Sequence, residues 1–480
     1  MESVAKKASK SIGWTAIHKI GSMSISFCTN MILARLLSPA DFGCIGIILV
    51  FVNLGNVFID AGFGSALIQK KDSNRVDYST VFYWNLIVAI IIYGALYAFS
   101  DSIARYYSIP VLEDILHVLG IILIINAFSI IQTVRLKIML NFKPLALSFI
   151  ISTFLAAVVA VVMACNNFGV WSLVWFQIIQ ATLNSILLWL HCKWHPDLVF
   201  SFFSFKRLFG FGSFLLMSSL LTSLCNQIQS LFIGKICSTA TLGYYTQAKN
   251  LESAPTNIVY SVIGQVAFPI FSKYQDDRQK LLSINIRLNS CIAFVVIPLM
   301  TLLIVNARPV IMLVLSDKWL TAVPYFQILC LGGIATCLLD INNYTIAALG
   351  KSAVIFKWSL IKNSIGIVMI SIGAFFGIYG ILIAVTTYYY LGYLIYSILI
   401  KKYFTIGIGK QLHYIYPILV YSIILGTVTN FLNKYLLDSY LIYGLTSILF
   451  IILYITICRF SKLEAMVWTW GCIKLLLNRQ

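Results

Sequence analysis

Charged residues are scarce in this chain of 480 residues, where they make up 10% of the sequence, against roughly 25% in soluble proteins. Only 16 residues are acidic, and only five are histidines. The sequence contains no His-Glu-x-x-His, Gly-x-x-x-x-Gly-Lys or Gly-x-Ser-x-Gly pattern, which would indicate zinc, nucleotide or hydrolase chemistry. We therefore predict no catalytic residues, and a membrane glycosyltransferase or polymerase is disfavoured.

Paired cysteine motifs are also missing. The 11 cysteines are scattered, mostly within apolar stretches, and no two of them form a Cys-x-x-Cys pair. Cysteines in such positions are usually small buried residues rather than metal ligands or disulfide partners. We predict no bound metal and no cofactor.

What the sequence does contain is apolar stretches. Hydrophobic residues make up 60% of the chain, and runs of about 20 apolar residues, enough to cross a bilayer, recur throughout. Because lipid offers the backbone no hydrogen bonds, continuous runs of this kind are helices. We predict an all-α polytopic membrane protein of about 14 transmembrane helices. The predicted spans begin near Ile12, Asp41, Tyr78, Val111, Leu145, Val170, Phe209, Tyr245, Ile284, Trp319, Ala353, Tyr379, Leu412 and Leu441.

The formal net charge of +18 does not indicate nucleic-acid binding, because the basic residues occur in alternate loops rather than in one patch. Lysine and arginine are enriched before the first predicted span and after the second, fourth, sixth, eighth and twelfth. The positive-inside rule then places both termini in the cytoplasm, in agreement with an even number of spans. The same residues favour contact with anionic membrane lipids.

Short stretches of the first half return about 200 residues later. RLLSPADFG (Arg35–Gly43) resembles KICSTATLG (Lys235–Gly243), and Phe168–Trp171 resembles Phe376–Tyr379 in the same order. Such repeats are typical of transporters. We predict two pseudo-symmetric six-helix lobes, residues 1–200 and 201–405, with the substrate path between them. Residues 406–480 would add two helices and an amphipathic cytoplasmic tail.

The repeated turn predicts a helix start. In Ser-Pro-Ala-Asp-Phe-Gly, Ser38 suits the N-cap, Pro39 the first turn and Asp41 the positive end of the helix dipole. Gly43 and Gly243 are expected to allow close contact between helices. We interpret this motif as structural rather than catalytic.

Longer stretches resemble one family, the Wzx-type polysaccharide exporters, which include the colanic-acid and teichuronic-acid exporters. The family belongs to the multidrug, oligosaccharidyl-lipid and polysaccharide flippase superfamily. The similarity covers most of the chain from about Lys6 to beyond Gly350. It is carried by LARLLSPADFG (33–43), DAGFGSALIQKKD (60–72), STVFYWNL (79–86), SIARYYSIP (102–110), FGVWSLV (168–174), IGKICSTATLGYYTQAKNLESAP (233–255) and FPIFSKYQDD (268–277).

The resemblance implies a flippase in the bacterial cytoplasmic membrane. Its substrate would be a polyprenyl-pyrophosphate-linked oligosaccharide, moved from the inner to the outer leaflet. A polysaccharide polymerase and assembly proteins are the implied partners. We expect the protein to act as a monomer, because a single chain already contains both lobes.

Basic side chains within spans are the candidates for contact with the pyrophosphate. Each costs roughly 2.5–3.5 kcal/mol at a helix centre, so they need a reason to be there. The candidates are Lys19 with His18, Lys249 and Lys362. The alternative for Lys19 is a lysine that extends to the membrane surface, and Lys249 could instead pair with Glu252 three residues later.

Three carboxylates also lie within predicted spans: Asp60, Glu252 and Asp340. An intramembrane acid can relay a proton, hold Na⁺ or pair with a cation. Asn342 and Asn343 could add oxygen ligands beside Asp340. Coupling to a Na⁺ or H⁺ gradient is therefore one hypothesis, with structural charge pairing as the alternative role of these acids. The alternative to coupling is transport driven by consumption of the product outside.

Uncharged polar residues within spans are candidates for contact with sugars. Gln177, Gln180 and Asn184 have the spacing of one helix face, and Asn226 lies in the span that begins near Phe209. Hydrogen bonds between helices are the alternative role. The rival function is a multidrug cation antiporter of the same superfamily, which should present acids rather than lysines to its substrate.

Overall fold

The computed structural model describes residue 14 and residues 21–70, 73–404, 406–435 and 439–469, and every regular element within these ranges is a helix. The chain divides into two compact units, Met1–Gly243 and Tyr244–Gln480. The repeat predicts lobes that divide near residue 200, whereas the compact units divide within a helix at Gly243. The lobe assignment stays a prediction, because it follows repeated sequence rather than contacts.

The first unit consists of long helices joined by short turns. Helix α1 covers residues 21–36 in its described part. The following helices of this unit are α2 (Pro39–Asp60), α3 (Phe63–Gln69), α4 (Arg75–Tyr107), α5 (Val111–Leu119), α6 (Ile122–Ile138), α7 (Phe142–Cys165), α8 (Val170–Cys192) and α9 (Phe202–Ile236). Helix α10 (Thr239–Lys273) begins here and continues into the second unit.

Two of the predicted spans are interrupted. The span near Asp41 breaks between α2 and α3, where Ala61 and Gly62 have positive φ angles of 44° and 74°. Helix α9 packs closely on this break, since a Cβ at Gly212 would lie 2.8 Å from the carbonyl oxygen of Ala61. The span near Val111 breaks into α5 and α6 at Gly120. Length and composition alone did not reveal either break.

The predicted helix start at Ser38 is confirmed. The Ser38 side chain accepts a hydrogen bond from the backbone N–H of Asp41, whose carboxylate bonds back to the N–H of Ser38. Such a capping box satisfies two backbone donors at the helix end. The repeat forms the corresponding N-cap hydrogen bond at α10, where the backbone N–H of Thr241 donates to the Ser238 hydroxyl over 3.1 Å.

The predicted close contact at the two glycines is also confirmed, and it is reciprocal. A Cβ at Gly43 of α2 would lie 2.7 Å from the carbonyl carbon of Thr239 at the start of α10. A Cβ at Gly243 of α10 would lie 2.7 Å from the carbonyl carbon of Pro39 at the start of α2. The first turn of α10 therefore packs against Gly43 of α2, and the first turn of α2 packs against Gly243 of α10. Both contacts lie within the first unit.

The second unit is built in the same way, with two short α-helices and one 3₁₀ helix between the long ones. A 3₁₀ helix covers Asp317–Ala322. The α-helices after α10 are α11 (Arg278–Val305), α12 (Ala307–Val314), α13 (Val323–Ala348), α14 (Ser352–Ala374), α15 (Gly377–Phe404), α16 (Ile408–His413), α17 (Tyr416–Tyr435) and α18 (Tyr440–Phe460).

A buried amide network joins three helices of this unit. Asn285 of α11 donates to Oδ1 of Asn342 over 3.1 Å and to Oγ1 of Thr345 over 2.8 Å, both on α13. Asn342 donates to the Ser397 hydroxyl of α15 over 3.2 Å, and Asn289 of α11 also donates to Asn342. Hydrogen bonds of this kind between polar side chains hold helices together in a membrane.

Eleven helical segments among the described residues are long and apolar enough to cross a membrane. Two further predicted spans, near Phe209 and Tyr245, correspond to α9 and α10, each 35 residues long. At about 1.5 Å per residue each exceeds the roughly 30 Å of hydrocarbon. The predicted span near Ile12 lies mostly outside the described residues. The all-α polytopic class is confirmed.

Candidate functional site

Two adjacent tyrosines of α15 form the centre of the candidate site in the second unit. The ring centroids of Tyr388 and Tyr389 lie 5.4 Å apart. Tyr388 is 5% exposed, and its hydroxyl donates a 2.8 Å hydrogen bond to Oδ1 of Asn363 on α14. Tyr389 lies against Gly332 of α13, where a Cβ would come within 3.1 Å of its ring. Contacts with α13 and α14 thus fix both rings.

Lys249 reaches Tyr389 from α10. Its Nζ donates a 3.0 Å hydrogen bond to the Tyr389 hydroxyl and lies 5.4 Å from the ring centroid. Tyr245, one turn earlier, is 2% exposed, and its hydroxyl has no hydrogen-bond partner among the described residues. An ammonium carries three donors, so Lys249 can also donate to an anionic oxygen. A cation and an unsatisfied hydroxyl therefore share one face of α10.

Lys362 reaches the neighbouring ring from α14. Its Nζ lies 5.0 Å from the centroid of Tyr388. Its aliphatic stem passes Gly392 of α15, where a Cβ would lie 3.1 Å from Lys362 Cδ. Two predicted cations from different helices therefore meet adjacent aromatic rings. We call Lys249, Lys362, Tyr388 and Tyr389 the lysine–tyrosine site.

Two predicted carboxylates accompany these lysines. Glu252 is 7% exposed and lies against Gly333 of α13, where a Cβ would be 2.5 Å from its Oε1. Lys249 donates its hydrogen bond to Tyr389, and Glu252 lies on the same face of α10, where it interacts electrostatically with Lys249. Asp340 of α13 is half-buried, and its carboxylate interacts electrostatically with the ammonium of Lys362. The formal charges of these four groups balance.

Asn342 does not join Asp340. Residues two positions apart point to different sides of a helix, and the amide of Asn342 is used by Asn285, Asn289 and Ser397. Across the ranges that the structure describes, no group of three or more His, Cys, Asp or Glu side chains could hold a metal ion.

Helix α9 of the first unit carries a polar stripe. We define it as the six residues that line one shallow depression of about 340 Å³: Ser218, Ser219, Thr222, Ser223, Asn226 and Gln227. Ser219, Thr222 and Asn226 are exposed and follow each other at helical spacing. Placing this many hydroxyl and amide groups against lipid would cost free energy. The predicted residue Asn226 is part of this stripe.

The predicted polar residues of α8 differ in what they contact. Gln180 donates a 2.8 Å hydrogen bond to Oγ1 of Thr153 on α7, so it joins two helices. Asn184 lines a separate cavity of about 290 Å³ with Thr133 and Lys137. Gln177 is half-buried on α8. For Gln180 the geometry supports the alternative role, a hydrogen bond between helices.

Asp60 has a local structural contact. It is the last residue of α2, and its Oδ1 accepts a 3.2 Å hydrogen bond from the backbone N–H of Gly64. This hydrogen bond spans the break between α2 and α3. The positive charge of Lys137 interacts electrostatically with the Asp60 carboxylate. The remaining predicted cations, His18 and Lys19, lie outside the described residues.

Sequence reasoning missed the tyrosines and most of the stripe. Three consecutive tyrosines, Tyr388–Tyr390, within an apolar span were a usable signal, because buried tyrosines need a hydrogen-bond partner. The run of serines and threonines from Ser218 to Ser223 was a second signal. The amide residues Asn226 and Gln227 were recognisable as polar positions, whereas the serines and threonine were not predicted.

A family model described as a polysaccharide biosynthesis protein matches residues 32–324, which is more than half of the chain. The succinoglycan biosynthesis transport protein ExoT of Rhizobium meliloti (strain 1021) is 27% identical over 359 residues, 75% of this chain and 72% of the relative. The teichuronic acid biosynthesis protein TuaB of Bacillus subtilis (strain 168) is 27% identical over 360 residues, 75% of this chain and 74% of the relative. The lipopolysaccharide biosynthesis protein WzxC of Escherichia coli (strain K12) is 24% identical over 380 residues, with coverage of 77% and 76%.

Solved structures show the same fold. The lipid II flippase MurJ, in an inward closed conformation, superposes with a TM-score of 0.76 at 16% identity, over 94% of this chain and 99% of MurJ. An inward-facing multidrug resistance transporter of the MATE family superposes with a TM-score of 0.63 at 12% identity, over 82% and 98%. At these identities the likeness shows the fold alone. From the family match and the transport relatives together, the chain belongs to the polysaccharide biosynthesis protein family and is a membrane transport protein rather than an enzyme, as the sequence resemblance predicted.

Proposed function

We propose that this protein moves a polyprenyl-pyrophosphate-linked oligosaccharide from the inner to the outer leaflet of the bacterial cytoplasmic membrane. The observation that carries the proposal is the lysine–tyrosine site. Lys362 lies within α14, one of the helices apolar and long enough to cross a membrane, where a charge is costly, and its Nζ lies 5.0 Å from the centroid of the Tyr388 ring. Lys249 of α10 donates a hydrogen bond to the Tyr389 hydroxyl. A cation–π contact stabilises the charge of Lys362, and an ammonium that donates to one hydroxyl, as Lys249 does, carries two further donors.

A diphosphate headgroup fits this arrangement. Lysine binds phosphate as a point charge with rotatable donors, and the unsatisfied Tyr245 hydroxyl beside Lys249 can donate one more hydrogen bond. Charge-assisted hydrogen bonds are about twice as strong as neutral ones. The balanced charge of the lysines and carboxylates favours release, since Glu252 and Asp340 compete with the phosphate for the same lysines.

The oligosaccharide needs polar partners that carry no charge. The polar stripe of α9 supplies hydroxyls and amides over about three helical turns. Sugar hydroxyls both donate and accept, as these side chains do. Exposure of Ser219, Thr222 and Asn226 leaves the stripe open to such a ligand.

The mechanism that we propose is alternating access of two lobes, residues 1–200 and 201–405, with residues 406–480 as additional helices. The lipid tail would stay in the hydrocarbon while the headgroup crosses. The membrane potential can contribute, since each elementary charge moved through it is worth roughly 2.3 kcal/mol per 100 mV. Both termini are proposed to lie in the cytoplasm, from the loop charges.

The second candidate function is a multidrug cation antiporter. The buried Glu252 and the half-buried Asp340 beside aromatic rings are the observation that favours it, because acids and rings attract organic cations. The two proposals differ in what a deletion strain accumulates. Loss of a flippase leaves lipid-linked sugar on the inner leaflet, whereas loss of an antiporter sensitises cells to cationic drugs.

We expect deletion of the gene in its host to cause one lipid-linked oligosaccharide to accumulate on the cytoplasmic side. The wild-type chain should restore export, and the double variant Thr222→Leu with Asn226→Leu should restore roughly 30-fold less. This estimate takes about 1 kcal/mol for each lost neutral hydrogen bond. Export is measured as surface polysaccharide, and leaflet position by access of a glycosidase.

The matched control is Thr222→Ser with Asn226→Gln, which keeps the hydrogen-bonding groups and should restore export. Full export by the leucine variant would contradict a role for the stripe. Unchanged lipid-linked sugars in the deletion strain, together with new sensitivity to cationic drugs, would favour the antiporter.

Ion coupling predicts a distinct result for Asp340→Asn. This change keeps the shape of the side chain and removes the charge that could bind Na⁺ or a proton. We expect export by the wild type to fall when the coupling gradient is dissipated, and export by the variant to be low and independent of it. The exposed Asp317→Asn is the control. An Asp340→Asn protein that keeps the wild-type dependence would exclude this residue as the coupling group.

A further inference from the structure

An open groove in the first unit belongs to neither of the sites above. It encloses about 590 Å³ between α2, α4 and α9. Phe51 of α2, Phe99 of α4, and Ile228 and Phe232 of α9 contribute apolar walls. Phe99 is 62% exposed, so the groove is open to the surroundings. A volume of this size lies within the range of ligand pockets, roughly 300–1,000 Å³.

The groove and the polar stripe occupy different halves of α9. With about 3.6 residues per turn, Ile228 and Phe232 project from the half of the helix opposite to the mean direction of the stripe. In the proposed function the stripe faces a water-filled path. The groove, on the opposite side of α9, then faces the hydrocarbon of the bilayer. Its apolar walls exclude the sugar-bearing part of any substrate.

A lysine side chain lies at one end of the groove. Lys235 lies in the last turn of α9, and its Nζ donates to the backbone carbonyl of Tyr106 at the end of α4. It also lies 4.2 Å from the centroid of the Tyr106 ring. This contact holds the ammonium in place, and its other N–H donors can still bind a phosphate. The loop after α9 is predicted to lie outside, where lysines are otherwise scarce.

We propose that this groove binds an anionic phospholipid, with one acyl chain against Phe99, Ile228 and Phe232 and the phosphate at Lys235. Charge complementarity selects this occupant, because the groove pairs an apolar channel with a single fixed cation at its predicted outer end. A zwitterionic lipid would bring its own cation toward Lys235. The contact between the ends of α4 and α9 would then depend on the lipid composition of the membrane.

The test uses the full chain in nanodiscs that contain equal amounts of phosphatidylglycerol and phosphatidylcholine with identical chains, followed by native mass spectrometry. We expect the wild type to retain phosphatidylglycerol preferentially. Lys235→Gln should weaken that retention about fivefold, the effect of one lysine near a lipid phosphate. Ile228→Trp, which fills the groove, should reduce retention of both lipids. Lys434→Gln, an exposed lysine in the last turn of α17, is the matched control.

Unfolding temperatures show that each variant is folded. Equal retention of the two lipids by the wild type, or unchanged phosphatidylglycerol retention by a folded Lys235→Gln protein, would overturn the proposal. Displacement of phosphatidylglycerol by a lower concentration of polyprenyl phosphate would also overturn it and assign the groove to the carrier lipid. No glycan is present in this assay, so failure of the transport proposal leaves its result unaffected.

Discussion

Lys362→Glu is expected to abolish polysaccharide export while the protein stays in the membrane. The change removes the ammonium that rests on Tyr388 and places a second carboxylate near Asp340. A lost hydrogen bond to a charged group costs about 1.5–3 kcal/mol, which is roughly tenfold to 150-fold in affinity. Repulsion between the new carboxylate and a phosphate adds to this loss. Surface polysaccharide and the amount of membrane-bound protein are the measurements.

The matched control for this variant lies on the same helix. Lys357 of α14 is exposed, so Lys357→Glu makes the same charge change five residues away and should leave export near the wild-type level. Lys249→Glu should behave like Lys362→Glu, because its Nζ contacts Tyr389 beside Tyr388. Normal export by both site variants would remove the basis for an anionic substrate.

Gly43→Ala should destabilise the first unit more than an ordinary surface substitution can. The added Cβ would meet the backbone carbonyl of Thr239, and a backbone carbonyl cannot turn away as a side chain can. Overpacking typically costs 1–3 kcal/mol and sometimes more, and we expect about 3 kcal/mol here. That corresponds to a fall of roughly 6–12 °C in unfolding temperature by the scaling for domains of 150–250 residues. Thermal unfolding of the purified protein measures it.

The reciprocal contact sharpens this prediction. Gly243→Ala should cost about as much, since its Cβ would meet the carbonyl of Pro39. Both changes separate the same two helix starts, so the double variant should cost less than the sum of the single ones. Gly94 is the control, because nothing lies within 4 Å of the Cβ that would be added there. Gly94→Ala should be neutral or slightly stabilising. Additive costs for Gly43 and Gly243 would contradict the shared contact.

The sequence determined most of the membrane architecture. Hydrophobic runs depend on composition within about 20 residues, and a capping box such as Ser38 to Asp41 depends on four. Both are local, so they could be identified without coordinates. The family resemblance and the pair of glycines at Gly43 and Gly243 were likewise visible in the order of residues. The helix breaks at Ala61–Gly62 and Gly120 were not predicted, since both lie inside stretches that are apolar enough overall to count as one span.

The tertiary structure decided which polar residues act together. Lys249 and Tyr389 are 140 positions apart, and their contact depends on the rotation and crossing of α10 and α15, which helical periodicity leaves undetermined. The same reason explains Gln180, which helical spacing placed on one face with Gln177 and Asn184 but whose hydrogen-bond partner, Thr153, lies on the adjacent helix. A charged residue within an apolar run can be recognised from the sequence alone. The ring or carboxylate that it meets is set only by packing between helices.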